Sequence, residues 1–250
     1  MTEDREAELR ASLEALRSRL DDAVRAAGRA DGDVELLPVT KFFPASDVIL
    51  LRGMGCEAFG ESREQEASRK AVEVAEHFAG DGTTAAIRWH MIGRIQRNKA
   101  KAVASWAYAA HSVDGIALIR ALGRGATEAL ADGRRAEPMF VYVQLSLDGD
   151  PDRGGVDIGD PALVDEVCAA ANSTEGLRFA GLMAIPPLGA AAEESFVRLA
   201  AERERVQADH QQRLGLSAGM SGDLETAVRH GSTCVRVGTA LMGQRPLTSP

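Results

Sequence analysis

The chain has 250 residues, of which 45% are apolar, enough for one sizeable core without staples. With 29 basic and 37 acidic residues the formal net charge is −8, which disfavours binding along a long polyphosphate while leaving room for a local anion site. Three dispersed cysteines without a CxxC pair, five scattered histidines without HExxH, and the lack of a long apolar run argue against a disulfide framework, a metal site and a membrane span. Residues Met1–Arg10 are charged and carry no signal-peptide core, so a cytoplasmic, reduced protein is expected, with neither nucleic acid nor membrane as partner.

In chain order, two periods alternate. Leu9, Leu13, Leu16, Leu20 and Val24 recur at helical spacing and predict a leading helix over Glu3–Ala27, stopped by Gly28. Glu35–Lys41 reads as a strand in spite of Pro38, and Ala45–Met54 as a helix. Glu57–Gly60 is a very short strand, followed by a helix over Ser62–Phe78 that Ser62 or a neighbour caps. Ile87–Gly93 is a strand, and the basic stretch Arg94–Lys101 leads into its return helix. Tyr108–Val113 and Met139–Leu145 are strands flanking a helix over Gly115–Leu130. Asp148–Gly159 reads as a long loop, Pro161–Ala171 as a helix with Pro161 in its first turn, and Leu177–Ile185 as a strand. A long helix over Ala191–Leu214, a minimal strand at Leu216–Ala218 and a short helix over Leu224–His230 follow. Cys234–Leu241 holds the last strand and the turn beyond it.

Eight strand-like runs, each but the last leading to a helical return, predict an α/β fold: a (β/α)₈ TIM barrel with an extra N-terminal helix. No linker divides the chain, so a single domain is expected over 1–250, with a leading helix in 1–28 and the barrel in 35–243. An open doubly wound sheet is the alternative.

A barrel keeps its site at the C-terminal ends of its strands, which selects residues by position. Only four lysines stand against 25 arginines, and one of them, Lys41, ends the first strand between apolar neighbours Val39 and Phe42–Phe43. Desolvation there favours the neutral amine, the form that attacks aldehydes; a salt-bridged surface lysine is the plainer reading. Gly219–Asp223 and Gly238–Thr239 follow the last two strands, where barrels bind phosphate. Ser221, Gly222, Gly238 and Thr239 offer backbone N–H groups and hydroxyls, although Ser221 or Asp223 could equally cap the short helix that follows. Arg236 lies between apolar neighbours and needs a partner, an anion or ring nitrogen in the mouth or else a buried carboxylate. His90, Asn98, His111 and Asp114 sit near strand ends, and Arg94, Arg97, Lys99 and Lys101 form a basic run that reads equally well as a solvated face. One lysine, one phosphate cup and one embedded arginine suit pyridoxal 5′-phosphate. A barrel aldolase with a Schiff-base lysine and a sugar-phosphate substrate fits the same residues almost as well.

The motifs LLPVTK (Leu36–Lys41), FGE (Phe59–Glu61), WHMIGRIQRNK (Trp89–Lys99), HSVD (His111–Asp114), GLMAIPP (Gly181–Pro187), LSAGMSGDLETAV (Leu216–Val228) and VRVGTALMG (Val235–Gly243) occur in order. In this the chain closely resembles the pyridoxal phosphate homeostasis protein family. The resemblance implies a barrel like the alanine racemase N-terminal domain that carries or buffers pyridoxal 5′-phosphate inside the cell, without robust catalytic turnover. It implies the cofactor covalently bound to Lys41 as a Schiff base, Arg236 facing the ring nitrogen, and Ser221, Gly238 and Thr239 at the phosphate. It further implies apo enzymes that use pyridoxal phosphate as partners, and a monomer or weak dimer. A weak racemase acting on amino acids is the enzymatic alternative. Ser62 replaces the family's common Asn after FGE, Gln144-Leu145-Ser146 replaces a strand end that often carries Asn, and Arg153 stands where many relatives have Lys.

Overall fold

The structure is a computed structural model and describes residues 2–79 and 87–244. Its elements run α1 (Thr2–Ala26), β1 (Glu35–Pro38), α2 (Ala45–Gly53), β2 (Ala58–Glu61), α3 (Glu64–Phe78), β3 (Arg88–Met91), α4 (Ala100–Trp106), β4 (Ala109–Val113), α5 (Ile116–Ala131) and β5 (Met139–Ser146). They continue with β6 (Val156–Asp157), α6 (Pro161–Ser173), β7 (Leu177–Ala184), α7 (Ala192–Gln207), β8 (Gly215–Ser217), α8 (Leu224–Arg229), β9 (Cys234–Val237) and α9 (Thr239–Met242).

All strand pairs are parallel, in the order β1-β9-β8-β7-β5-β4-β3-β2, and β6 pairs only with the end of β5. The circle closes between β1 and β2 through a single bridge, Val39 to Gly60, and the Thr40 N–H donating to the Gly60 carbonyl at 3.0 Å. The result is a nearly closed eight-stranded parallel barrel rather than an open sheet.

That weak seam explains how β1 tolerates Pro38. Glu35 and Val39 donate their N–H groups towards β9, to the carbonyls of Thr233 and Val237. The alternate residue Pro38 therefore turns its nitrogen to the β2 side, where no ladder exists, and the missing donor costs nothing.

The last βα unit is too short to cover the barrel wall, because α9 has only four residues. The leading helix takes over that role. Leu9, Leu13, Leu16 and Leu20 are buried in one cluster with Val48 of α2, Leu224 of α8, and Leu241 and Met242 of α9. Its polar face ties down the loops at the C-terminal mouth. Arg5 donates to Asp47 at 2.7 Å and to the Met242 carbonyl at 3.0 Å, and Arg19 donates to the Ser221 carbonyl at 2.8 Å.

Four sequence expectations need correction. β1 ends at Pro38, so Lys41 lies in a turn two residues past the closing bridge rather than in the strand. Ser62 does not cap α3, whose N-cap is Arg63 without a side-chain bond. The Ser62 backbone is instead pressed on Gly93, where a Cβ would stand 2.1 Å from the Ser62 oxygen. The long helix stops at Gln207, because that side chain organises a return turn: its Nε2 donates to the His210 and Gln212 carbonyls, and its Oε1 accepts from the Leu214 N–H. Finally, the long loop contains β6, and the turn after β9 contains α9; runs of two and four residues are too short to show a period.

Gly181 marks a bulge where β5 and β7 shift register between Val141 and Tyr142. Its φ is +145° and a Cβ there would lie 2.0 Å from the Gly215 oxygen. Gly181→Ala is expected to lower the unfolding free energy by about 2 kcal/mol or more in chemical denaturation. Gly53→Ala, at the end of α2 with open space around it, is expected to be neutral or stabilising by up to about 1 kcal/mol.

Candidate functional site

The C-terminal mouth of the barrel brings together the ends of β1, β8 and β9. The N–H of Val39 donates to the Val237 carbonyl at 2.8 Å, so the chain leaves β1 towards Lys41 at the same mouth where β9 turns into α9. Lys41 is half-buried, and its Nζ lies 5.7 Å from the centroid of the Phe42 ring. Phe42 has a φ of +71° and is the one non-glycine residue with positive φ among the described residues. A bulky residue adopts that conformation only under constraint from its surroundings, and here the constraint turns the chain sharply across the rim just after Lys41.

Behind Lys41 a buried polar cluster braces the seam. Lys70 of α3 donates its Nζ to the Thr40 carbonyl at 2.9 Å and to Glu61 Oε1 at 2.5 Å, and Thr40 Oγ1 donates to the same oxygen at 2.7 Å. Burial pushes the Glu61 carboxyl above its ordinary range, against the pull of Lys70. The other oxygen, Glu61 Oε2, is buried and has no partner. Sequence reasoning did not find this cluster: FGE reads only as a family motif, and Lys70 sits in an amphipathic helix like any surface lysine.

The loops after β8 and β9 are joined to each other. Ser221 Oγ accepts from the Ala240 N–H at 3.3 Å, so Ser221 caps α9 and not α8. Asp223 does not cap α8 with its side chain either; its Oδ1 accepts from the Met220 N–H at 2.6 Å. Because Ser221 accepts there, its own proton remains available to a ligand. Among the described residues, the backbone N–H groups of Ser221, Gly222 and Thr239 donate to no protein acceptor. A Cβ on Gly222 would meet nothing within 4 Å, so that position is open rather than crowded, and Gly238 lies against Val39 of the first strand's end. These unspent donors on the loops after β8 and β9 are the chemistry an anion-binding loop requires.

Arg236 of β9 is 5% exposed and has no carboxylate partner among the described residues, which removes the buried salt bridge as its explanation. Its Nη1 donates to Ser217 Oγ at 2.6 Å and its Nη2 to the Ala184 carbonyl at 3.0 Å. Ser217 Oγ lies 2.7 Å from His111 Nδ1, and His111 Nε2 lies 2.8 Å from His90 Nδ1.

Arginine only donates, so Ser217 Oγ accepts from Arg236, and the tautomers of His111 and His90 are coupled through the shared Ser217–His111–His90 contacts. His90 Nε2, at the end of this chain, is buried and has no partner among the described residues. Both rings are neutral: burial lowers His90 to about 3, and burial with the nearby His90 and Arg236 holds His111 well below its ordinary value. The two histidines therefore belong to the barrel interior: His90 is the neutral core ring that its place after Trp89 allows, and His111 lies inside β4 rather than on the rim.

The other candidates separate from this site. Lys99 pairs with Glu64 at 3.7 Å and Lys101 with Glu128 at 2.5 Å, so the basic run forms an outer helical face. Asp114 lies near Gly154 of the loop after β5. Arg153 spans that loop and the end of β7, donating to the carbonyls of Ile185 and Pro186 at 3.2 and 3.0 Å. Ser146 accepts from the Gly149 N–H at 3.0 Å and shapes the same loop, so its hydroxyl is committed to structure. The described residues hold no cluster of side chains able to bind a metal ion. No helix among them is long and apolar enough to cross a membrane.

A parallel barrel with a rim lysine, a cup of free N–H donors and a buried, carboxylate-free arginine defines the class. Residues 11–246 match the family described as "Alanine racemase, N-terminal domain". The chain is 56% identical over 249 residues to the pyridoxal phosphate homeostasis protein of Mycobacterium tuberculosis H37Rv, covering 99% of this chain and 96% of that one. It is 32% identical over 243 residues to that of Escherichia coli K12, covering 94% and 95%. The chain belongs to the pyridoxal phosphate homeostasis protein family. Among solved structures, PipY of Synechococcus elongatus with PLP bound has a TM-score of 0.77 at 30% identity, covering 94% of this chain and 100% of that one. The alanine racemase of Clostridium difficile shares the fold, with a TM-score of 0.63 at 14% identity, and this chain covers 58% of it.

The residues present fit pyridoxal phosphate on their own chemistry. Arg236 spends part of its donor capacity on Ser217 and Ala184 and bonds to no described carboxylate, Asp223 acting on it only through space, and the loops after β8 and β9 keep unspent N–H donors.

The neutral histidines give the site a pH signature. The unfolded chain binds protons on them below about pH 6.5, whereas the native rings resist, so their contribution is intact above about pH 6.5 and is lost as the pH falls. Unfolding free energy is expected to drop by up to about 1.4 kcal/mol per pH unit for each ring between about pH 6.5 and 5. His90→Gln should flatten that slope by one ring's share; an unchanged slope would show that His90 is protonated in the native protein.

Proposed function

We propose that this protein binds pyridoxal 5′-phosphate at the C-terminal mouth of its barrel and serves as an intracellular carrier or buffer of the cofactor. The observation that carries the proposal is Arg236, a buried guanidinium whose described partners are all neutral, beside a cup of unspent N–H donors. The names of its relatives, and PipY with PLP bound, point the same way.

In this reading Lys41 is the covalent attachment point, since it follows β1 at the C-terminal mouth, two residues past the closing bridge. The free N–H groups of Ser221, Gly222 and Thr239, with the Ser221 and Thr239 hydroxyls, hold the phosphate, and Gly238 lets the backbone approach. Arg236 donates to the ring nitrogen. When bound, the cofactor supplies an aldehyde that bonds reversibly to amines and a ring that accepts electrons. Arg236 has no proton to give up, so it keeps the ring nitrogen without a proton and weakens that electron sink. Tyr142 is half-buried inside the barrel and burial raises its hydroxyl, while Tyr108 sits just before β4 at the opposite end. Neither tyrosine stands at this mouth as a second base. Binding without turnover follows, with apo enzymes as recipients.

Borohydride reduction of the cofactor-loaded protein, followed by peptide mass spectrometry, is expected to place a pyridoxyl phosphate group on Lys41. An adduct on Lys70, Lys99 or Lys101 with Lys41 unmodified would overturn the attachment, and no adduct at all would favour an aldolase-type site. For the cup, Ser221→Ala and Thr239→Ala each remove one charge-assisted hydrogen bond of about 1.5–3 kcal/mol. Each is expected to weaken pyridoxal phosphate by about 10–100-fold while leaving affinity for pyridoxal nearly unchanged. Equal losses for both ligands would assign the hydroxyls to the loops' own structure.

A further inference from the structure

Lys70 of α3 carries a charge into the interior: it is 8% exposed, and its Nζ donates to Glu61 Oε1 at 2.5 Å and to the Thr40 carbonyl at 2.9 Å. Stability does not explain the pair. A buried ion pair adds little against an apolar pair of the same volume, and here Glu61 Oε2 is left buried without a partner. The effect of the pair is geometric, because the carbonyl that Lys70 reaches belongs to the peptide joining Thr40 to Lys41.

Every polar group of Thr40 is fixed. Its N–H donates to the Gly60 carbonyl at 3.0 Å and its hydroxyl to Glu61 Oε1 at 2.7 Å. Its carbonyl accepts from Lys70 and, at 3.1 Å, from the Phe43 N–H. That last bond closes a four-residue turn over Thr40–Phe43, with Lys41 in its second position and Phe42 in its third. Phe42 has a positive φ and Lys41 does not, which is the type II pattern, whose third position ordinarily takes glycine or asparagine. A phenylalanine stays there only where the surroundings hold the turn closed. The Phe42 ring lies 5.7 Å from Lys41 Nζ and 5.2 Å from the Arg63 guanidinium carbon, so the place of the ring and the place of the lysine are tied together.

We propose that Lys70 is a positioning residue for Lys41: by holding the Thr40 carbonyl from α3, it locks the turn that presents the Lys41 amine at the C-terminal mouth. The role rests on the reading of Lys41 as the attachment point. The bond concerned forms when the Lys41 amine adds to an aldehyde carbon and water leaves; Lys70 supplies no atom and no proton to it. A carbonyl accepts only, so the direction of the Lys70 bond is settled, and an ammonium donor makes it stronger than the neutral turn bond from Phe43. Without Lys70 that neutral bond alone holds the turn, and Phe42 is free to relax to negative φ. The amine then faces the aldehyde less often, while the loops after β8 and β9 keep their donors. Lys70 therefore governs how fast the covalent bond forms and not how tightly the phosphate is captured.

The test compares the full chain, freed of cofactor, with Lys70→Met, which keeps the length of the stem, and with the double variant Lys70→Met/Glu61→Gln, which strands no buried carboxylate. Pyridoxal phosphate reports bond formation, read as the rate at which a borohydride-trappable adduct appears on Lys41. Pyridoxamine phosphate has no aldehyde and reports capture alone. In both variants adduct formation is expected to slow by about 10–100-fold, the scale set by a misplacement on the order of 1 Å, with the affinity for pyridoxamine phosphate unchanged. Amide hydrogen exchange of the unloaded chain gives a second readout. The Phe43 N–H is expected to lose protection in both variants, while the Thr40 N–H, bound to Gly60, keeps its own. A merely structural role would weaken pyridoxamine phosphate binding and expose both amides together, and that result would overturn the proposal. An adduct that forms on Lys41 at the wild-type rate in both variants would overturn the positioning role and leave the attachment standing. An adduct found on Lys70 of the wild-type chain would overturn the attachment to Lys41, and the positioning role with it.

Discussion

A guanidinium buried in the barrel with neutral neighbours is the constraint around which the interior is arranged. Arg236 cannot shed its proton, and taking an unpaired charge out of water is costly. The barrel answers with oriented dipoles: a serine hydroxyl, a backbone carbonyl and two neutral imidazoles behind them. The members are linked in one hydrogen-bonded chain, so the proton position of each depends on that of the next. No described carboxylate bonds to Arg236, and Asp223 acts on it only through space.

The second constraint is the seam. Seven strand junctions have backbone ladders, whereas β1 and β2 meet through one bridge and one further hydrogen bond. The buried Thr40, Glu61 and Lys70 side chains hold this junction from behind, and Lys41 is the next residue along the chain from Thr40. Lys41 is thus set on the least laddered edge, beside a phenylalanine in the left-handed region. The leading helix completes the structure from outside. It replaces the wall that the four-residue α9 cannot supply, and through Arg19 and Arg5 it holds the loop after β8 and the end of α9.

Much of this was legible in the chain itself. The leucine spacing of the leading helix, the alternation of short strands with helical returns, and the glycine-hydroxyl loops after the last two strands all depend on local pattern, and local pattern survives in a sequence. Lys41 and Arg236 could be picked out because each is a charge among apolar neighbours. What could not be read depends on contacts between distant segments. Glu61 and Lys70 meet across two elements, His111 and Ser217 are separated by 106 positions, and the capping of α9 by Ser221 joins two loops. His90 and His111 lie within their strands, and only the closed barrel brings the two rings together in its interior, with centroids 5.0 Å apart.

The account turns on Arg236 meeting a ring nitrogen that carries no proton. NMR of the protein loaded with pyridoxal phosphate isotopically labelled at the ring nitrogen tests this directly. The resonance is expected in the range of an unprotonated pyridine, unchanged from neutral to mildly acidic pH, and displaced by Arg236→Gln. A pyridinium resonance, or one that titrates freely and ignores Arg236→Gln, would show that the buried guanidinium faces something else.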